Sequence, residues 1–290
     1  MDVLDKLTCK FTKLKVGLPN YVLLDVDHIK QEGNWDCGIA SLRMAARYLE
    51  RATNAMVTMD EAILKHGLEK SVWTIDLAYL CAIMGIKHIL TTITLGADST
   101  YSEESFYLNQ LKTSFSVEMN RVNKLFKSAQ KRNVFVEKKS KSVTKIFNHI
   151  ATYNQPVIVL VDDSKLKRIF LTESSVATKT PENADHSHTG LNSSQSVKPK
   201  TIIQKEEHSN TTSTEEFVQN DEITSVENEE KLKYWGHFIL VVGFDLKQKE
   251  VIFNDPSANY PKSRCSISSF EKARKSYGTD EDLLFIFGNE

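Results

Sequence analysis

The stretch HIKQEGNWDCGIASLRMAARY, residues 28–48, decides how the rest of the chain is read. It places Gln31 six residues ahead of Cys37, which Gly38 follows. From Cys37 onward, Ala40, Met44 and Tyr48 recur at four-residue spacing, with Ile39, Leu42, Ala46 and Leu49 alongside. Apolar positions that nearly encircle a helix predict one that is buried, with only its N-terminal tip left near solvent. A thiol on that tip lies among unpaired N–H groups at the positive end of the backbone dipole, which is a nucleophile's setting.

The whole chain sets bounds on what that thiol can serve. Its 290 residues are 40% hydrophobic, enough for a substantial core in one large or two small domains. With 37 basic and 38 acidic residues the net charge is −1, so neither a nucleic-acid nor a membrane partner is expected. The opening MDVLDKLTCKF has no basic-then-apolar signal pattern, and no apolar run of about 18 residues occurs. The expectation is a cytoplasmic or nucleocytoplasmic protein. Its four cysteines, Cys9, Cys37, Cys81 and Cys265, lack CxxC pairing, so free thiols are expected rather than a zinc site or a redox pair. Cys81, inside LAYLCAIMG, reads as a buried structural thiol.

Residues 1–20 read as a loose lead-in, and YVLLDV at 21–26 as a short strand feeding the Gln31 loop. Helices are predicted over 59–66, opened by Asp60 and stopped by Gly67, and between a Thr74 cap and Gly85. A β-branched strand covers 86–95, a long loop 96–117, and an amphipathic helix is marked by Val122, Leu125 and Phe126. A brief strand at 134–136, a helix at 142–152 and the buried strand VIVLV at 157–161 complete a first part, residues 21–162. Composition then turns to Ser, Thr, Glu, Asn and Lys over 163–231, too polar to offset the entropy of ordering, and a disordered insertion is expected there. The glycosylation patterns NSS (192–194) and NTT (210–212) read as idle without a secretory signal, and His186, His188 and His208 as solvated rather than metal-binding. Residues 232–290 form the second part of the same domain: a hairpin of WGHFILVVGFD (235–245) and VIFND (251–255), a short helix at 270–275 and the closing strand LLFIF (283–287).

A thiol hydrolase needs a nucleophile, an imidazole to carry its proton, a group to orient the imidazole, and a donor for the oxyanion. In chain order the sequence offers Gln31 as donor, Cys37 as nucleophile, His237 as base and Asp255 as orienter, with Asn254 the alternative orienter. Opposite ends of two antiparallel strands joined by a turn lie side by side, which brings Asp255 toward His237. Taken singly, a histidine beside Trp235 and Phe238 is an ordinary core residue, and an aspartate before Pro256 an ordinary turn residue. Their order on a helix-then-strand chain is what gives the set meaning.

QEGNWDCGIA, GHFILVVGFD and NDPS resemble the papain-like superfamily, in particular the C39-type bacteriocin-processing peptidases, which share the Gln, Cys, His, Asp order. That resemblance implies an α+β, papain-like fold: an N-terminal helical layer with the cysteine helix packed on an antiparallel sheet, a peptide or protein substrate, and no cofactor. HIKQEGNWDCGIASLRMAARYL, SVWTIDLAYL and FEKARKSYGTDEDLLF resemble the eukaryotic guanylyl cyclase domain-containing family, which includes a plant guanylyl cyclase. This second resemblance implies synthesis of cyclic GMP from GTP with Mg²⁺ or Mn²⁺, for which Asp36, Asp76 and Asp255 are the carboxylates on offer. No Gly-rich phosphate cradle accompanies them, since Gly236 and Gly243 are strand glycines. A third expectation is a non-catalytic interaction protein that uses the polar insertion as a recognition arm.

Overall fold

A computed structural model describes residues 17–50, 57–98, 115–169 and 234–288. The chain divides into two units, Met1–Phe170 with Lys231–Glu290, and Leu171–Glu230, the latter lying outside the described residues. Nine strands of the first unit form a single sheet: β1 (Tyr21–Leu23), β2 (Lys87–Thr92), β3 (Val136–Lys138), β4 (Val157–Asp162), β5 (Arg168–Ile169), β6 (Gly236–Asp245), β7 (Glu250–Asn254), β8 (Ser263–Ser266) and β9 (Leu283–Phe287). The order is β3-β2-β9-β4-β6-β7-β8-β5, antiparallel except between β2 and β3. Strand β6 is central because Phe238 through Phe244 carry no side chain that requires water, and all are buried. Along one edge its first half pairs with β4 and its last residues with β1. A Cβ on Gly243 would stand 2.3 Å from the Val22 carbonyl, so only glycine lets β1 join there.

The helices are α1 (Cys37–Glu50), α2 (Met59–His66), α3 (Thr74–Ile83), α4 (Phe115–Ser128), α5 (Val143–Tyr153) and α6 (Ile267–Arg274). Helix α1 begins at Cys37 and packs on β6, α3 and β4. Its Leu42, Met44 and Ala45 are fully buried, as the periodicity requires. Two cap assignments are corrected. Thr58, rather than Asp60, opens α2, because its hydroxyl accepts from Glu61 N–H while Glu61 reaches back to Thr58 N–H. Trp73, rather than Thr74, precedes α3, since the Asp76 carboxylate takes the Trp73 N–H at 2.9 Å and Thr74 Oγ1 is buried without a partner. Gly67 stops α2 in the left-handed region at φ 69°, as read from the sequence.

Strands β5 and β8 were not expected. They pair with each other, and β8 pairs with β7. The polar insertion, expected from residue 163, is therefore preceded by further structure. Asp163 N–H donates to Trp235 O at 2.8 Å, and the chain runs through a 3₁₀ turn into β5 before residue 170. Polar composition hid a segment whose order comes from partners distant in sequence. The rest of that insertion lies outside the described residues, as do residues 1–16 of the lead-in and 99–114 of the long loop. Helix α4 begins at Phe115, inside the end of that loop.

The β6–β7 hairpin contains one irregularity that matters for the site. Near the turn Gly243 faces Ile252, but past a bulge between Val241 and Gly243 the register becomes Val241 with Phe253 and Leu240 with Asn254. Carried one residue on, that register sets Asp255 opposite Ile239, on the same face as His237. Without the extra residue Asp255 would come opposite Leu240 and point to the other face.

Candidate active site

Cys37 is the first residue of α1, 9% exposed, and its N–H has no acceptor within the helix. Gly38 lets this tip come close to the core: a Cβ there would stand 3.0 Å from the Phe238 ring and 3.1 Å from Leu77. The loop ahead of it is held by Asp36, whose carboxylate accepts from Glu32 N–H (3.0 Å) and Gly33 N–H (2.8 Å). Further back, 26–31 is stitched to the end of β7. Gln31 N–H donates to Pro256 O at 2.9 Å, His28 Nε2 meets Asp255 O at 2.8 Å, and Asn254 Nδ2 donates to Val26 O at 3.2 Å.

His237 stands between the two halves. Its Nε2 lies 2.8 Å from Asp255 Oδ1, and Cys37 is near enough to act on the ring's pKa. Burial alone would lower its pKa, but the Asp255 hydrogen bond, and after it the hydrogen bond and charge of Cys37, push it up to about 10. Asp255 is fully buried. Burial would raise its pKa, yet the His237 hydrogen bond and charge, then Arg168 and Ser257, hold it well below the usual carboxylate range. Arg168 Nε donates to Asp255 Oδ2 at 2.7 Å, while Ser257 N–H (2.9 Å) and Oγ (2.7 Å) donate to Oδ1. Each carboxylate oxygen thus has fixed donors.

Of the residues singled out in the sequence, Cys37, His237 and Asp255 come together. Asn254 does not join them: its amide donates to Val26 O and its oxygen accepts from Lys262 N–H at 3.0 Å, so it ties loops rather than orienting the imidazole. Gln31 lies in the adjoining loop, where its Nε2 donates to Gly33 O at 2.6 Å and Oε1 is buried without a partner. One of its two amide hydrogens is therefore committed to Gly33 O. Arg168 and Ser257 were missed. Ser257 had a signal in the Asp-Pro-Ser turn of NDPS, whereas Arg168 fell within the stretch read as insertion.

A cleft opens beside Cys37, lined among others by Trp35, Trp73, Tyr234, Phe238, Asp280 and Asp282. Its Trp73 wall is fixed from behind by Glu118, whose Oε1 accepts from Trp73 Nε1 (2.9 Å) and Ser71 Oγ (2.6 Å). Arg121 in turn links Glu118 to the buried Asp76, donating to Asp76 Oδ1 at 2.6 Å. His66 Nε2 meets the same Asp76 oxygen at 2.8 Å.

The carboxylates named for a divalent metal are therefore already engaged. Asp36 holds its own loop, Asp76 is paired with Arg121 and hydrogen bonded with His66, and Asp255 is paired with His237 and Arg168. Among the described residues no group of three or more His, Cys, Asp or Glu is placed to hold a metal ion. These donors do not fit the Mg²⁺ or Mn²⁺ of a nucleotide cyclase. Among the same residues, no helix is long and apolar enough to cross a membrane.

A family model described as guanylylate cyclase matches residues 26–286, a span that contains Gln31, Cys37, His237 and Asp255. The chain belongs to that family. It is also similar to guanylyl cyclase 1 of Arabidopsis thaliana, with 30% identity over 270 residues covering 93% of this chain and 78% of the relative.

Proposed function

We propose that this member of the guanylylate cyclase family is a thiol hydrolase of papain-like type, acting by acyl transfer on an amide of a peptide or protein. The observation that carries the reading is His237 bonded to Asp255, with Cys37 near enough to act on the same ring. The papain-like fold assignment is part of the proposal, supported by a cysteine-tipped helix packed on a largely antiparallel sheet that supplies the histidine. In the proposed cycle Cys37 gives its thiol proton to His237, its Sγ bonds to the substrate carbonyl carbon, and the carbonyl π electrons move to oxygen. The Cys37 N–H and the second Gln31 amide hydrogen take up the oxyanion. Collapse breaks the C–N bond, with the departing amine taking a proton from His237. Water then attacks the thioester, gives a proton to His237 and releases the acid and Cys37. Asp255 keeps the ring in place throughout, and no cofactor is required.

A second reading is cyclisation of GTP. It is favoured by the family description and by the printed name of the Arabidopsis relative, both of which point to it rather than to a hydrolase. We derive no step for it, since the carboxylates do not fit the metal.

Two assays on the purified full chain separate the readings. An electrophilic probe is expected to label Cys37 stoichiometrically and to be suppressed by His237→Ala; equal labelling rates in the two proteins would remove the thiol reading. Incubation with GTP and Mg²⁺ or Mn²⁺ tests the other. Cyclic GMP formation that survives Cys37→Ala and His237→Ala would put the cyclase in its place, and none above background would eliminate it.

A further inference from the structure

We infer that the cleft beside Cys37 selects an acyl substrate bearing a positively charged nitrogen, an arginine or lysine side chain next to the attacked carbonyl, received by Asp282 among the aromatic side chains of Trp35, Trp73 and Tyr234. The inference rests on the thiol reading and supplies its substrate class.

Asp282 directly precedes β9, and its backbone is fixed on both sides: its N–H donates to Thr279 O at 3.0 Å, and its carbonyl accepts from Leu160 N–H at 3.2 Å. The side chain lines the cleft with only 9% of the residue exposed. Its Oδ1 is buried without a hydrogen-bond partner, as is the Oγ1 of neighbouring Thr74. A carboxylate placed in this way has no cation and only the neutral hydroxyls of Thr74 and Thr92 beside it, where the other buried carboxylates around the site have a cation. Asp162 has Ser164, Ser276 and Lys165, and Asp76 has Arg121 and His66. Lys70 lines the same cleft, but it is exposed and no ion pair joins it to Asp282.

The groups facing Asp282 explain its state. Burial raises its pKa first, the charge of Asp280 adds to the rise, and the Thr74 and Thr92 hydroxyls offset only part, leaving it at about 7. An incoming cation reverses both main causes, because it neutralises the buried charge and relieves the repulsion from Asp280. Aromatic faces add to the attraction for a guanidinium or ammonium group.

The test uses peptidyl electrophiles that differ at one side chain, arginine, its neutral isostere citrulline, or glutamate, with the Cys37 labelling rate read for the full chain. The arginine probe is expected to react about tenfold or more faster than the citrulline probe, the scale of one hydrogen-bonded charge pair. Asp282→Asn should collapse that ratio, with labelling by iodoacetamide, which has no charge to be recognised, as the reference rate in each protein. The ratio in the unaltered protein should also rise from pH 6 to pH 8 as Asp282 ionises; taking a ratio cancels any titration of the thiol, and this comparison needs no variant that must fold. Labelling that depends on His237 but shows no preference among the three probes would overturn the cation site and leave the thiol reading standing. Labelling by no probe, or labelling insensitive to His237→Ala, would overturn both.

Discussion

Two histidines of this protein are almost completely withdrawn from water, and they titrate in opposite directions. His149 on α5 packs against Tyr153, Phe285 and Phe287. Its Nε2 meets only the Ile286 carbonyl, at 2.9 Å, and its Nδ1 is buried without a partner. Burial there outweighs the carbonyl and brings the pKa down to about 3. His237 is buried to a similar degree, but a carboxylate on one side and a thiol on the other take it up to about 10. Burial alone therefore does not mark a reactive imidazole; an ionised partner held in place by further donors does. His149 is a core residue with one hydrogen bond, and His237 is one part of a hydrogen-bonded set in which Asp255, Arg168 and Ser257 each have a fixed position.

The comparison breaks if the two residues prove interchangeable in their effect on Cys37. His237→Ala is expected to lower the second-order rate of Cys37 alkylation near neutral pH by about 10² to 10⁴, the usual contribution of a positioned proton carrier. His149→Gln should leave the rate unchanged. A comparable loss in both would mean that the imidazole acts through folding alone.

Next in size is the cost of removing the carboxylate. Asp255→Asn leaves His237, when protonated, without its buried counter-charge and leaves Arg168 with Asp163 alone, and is expected to cost about 3–5 kcal/mol in chemical denaturation. The loss should depend on pH. A histidine whose folded pKa is raised contributes stability that is fully present below its unfolded value near 6.5 and is lost as pH rises toward 10. The difference between the parent and Asp255→Asn should therefore shrink on the alkaline side.

How much of this was legible in the sequence follows the range of the interactions. Helix α1, β4, the β6–β7 hairpin and β9 were readable because their apolar runs and periodicities are local, and β9 begins and ends where LLFIF does. The nearness of His237 and Asp255 was readable from hairpin geometry, but the bulge that puts them on one face was not, since nothing in LVVG announces the extra residue. The choice between Asp255 and Asn254 needed that register. Arg168 was hidden because its order comes from β8 and Asp255, 87 residues further on, and not from its polar neighbours. Asp282 was visible only as a charge before a strand; its isolation in the cleft is a matter of packing.

The acid side sharpens the contrast through His149. The folded state keeps this ring neutral to about pH 3, whereas the unfolded chain protonates it near 6.5. Below 6.5 the unfolded state thus binds the extra proton, and stability falls with pH by about 1.4 kcal/mol per unit from this group. Asp255 acts in the same direction at lower pH. Asp282, with its folded pKa raised to about 7, acts in the opposite one and favours the folded state as pH falls from 7. The curve for the parent mixes these effects, so the informative measurement is the difference between parent and His149→Gln from pH 7 to pH 4. The parent should lose stability relative to the variant steadily toward acid; a flat difference would show that the ring protonates as readily in the fold as in the unfolded chain.

The smallest expected effect tests whether the Asp255–His237 pair is tuned from outside. Arg168 does not touch His237, yet its guanidinium shares Asp255 and draws on the same negative charge. Replacing it by glutamine removes that cation, which leaves more of the carboxylate's field for the imidazolium and takes away a like charge nearby. Both changes favour the protonated ring, so the His237 pKa, followed by NMR titration of its ring signals, should rise by less than about one unit. Arg168→Lys keeps the charge but loses the Nε donor that fixes Oδ2, and should leave the pKa near its parent value. If Arg168→Gln lowers the pKa instead, the arginine acts by holding Asp255 in position rather than by its charge. The two variants together would then divide orientation from electrostatics in the pair that separates His237 from His149.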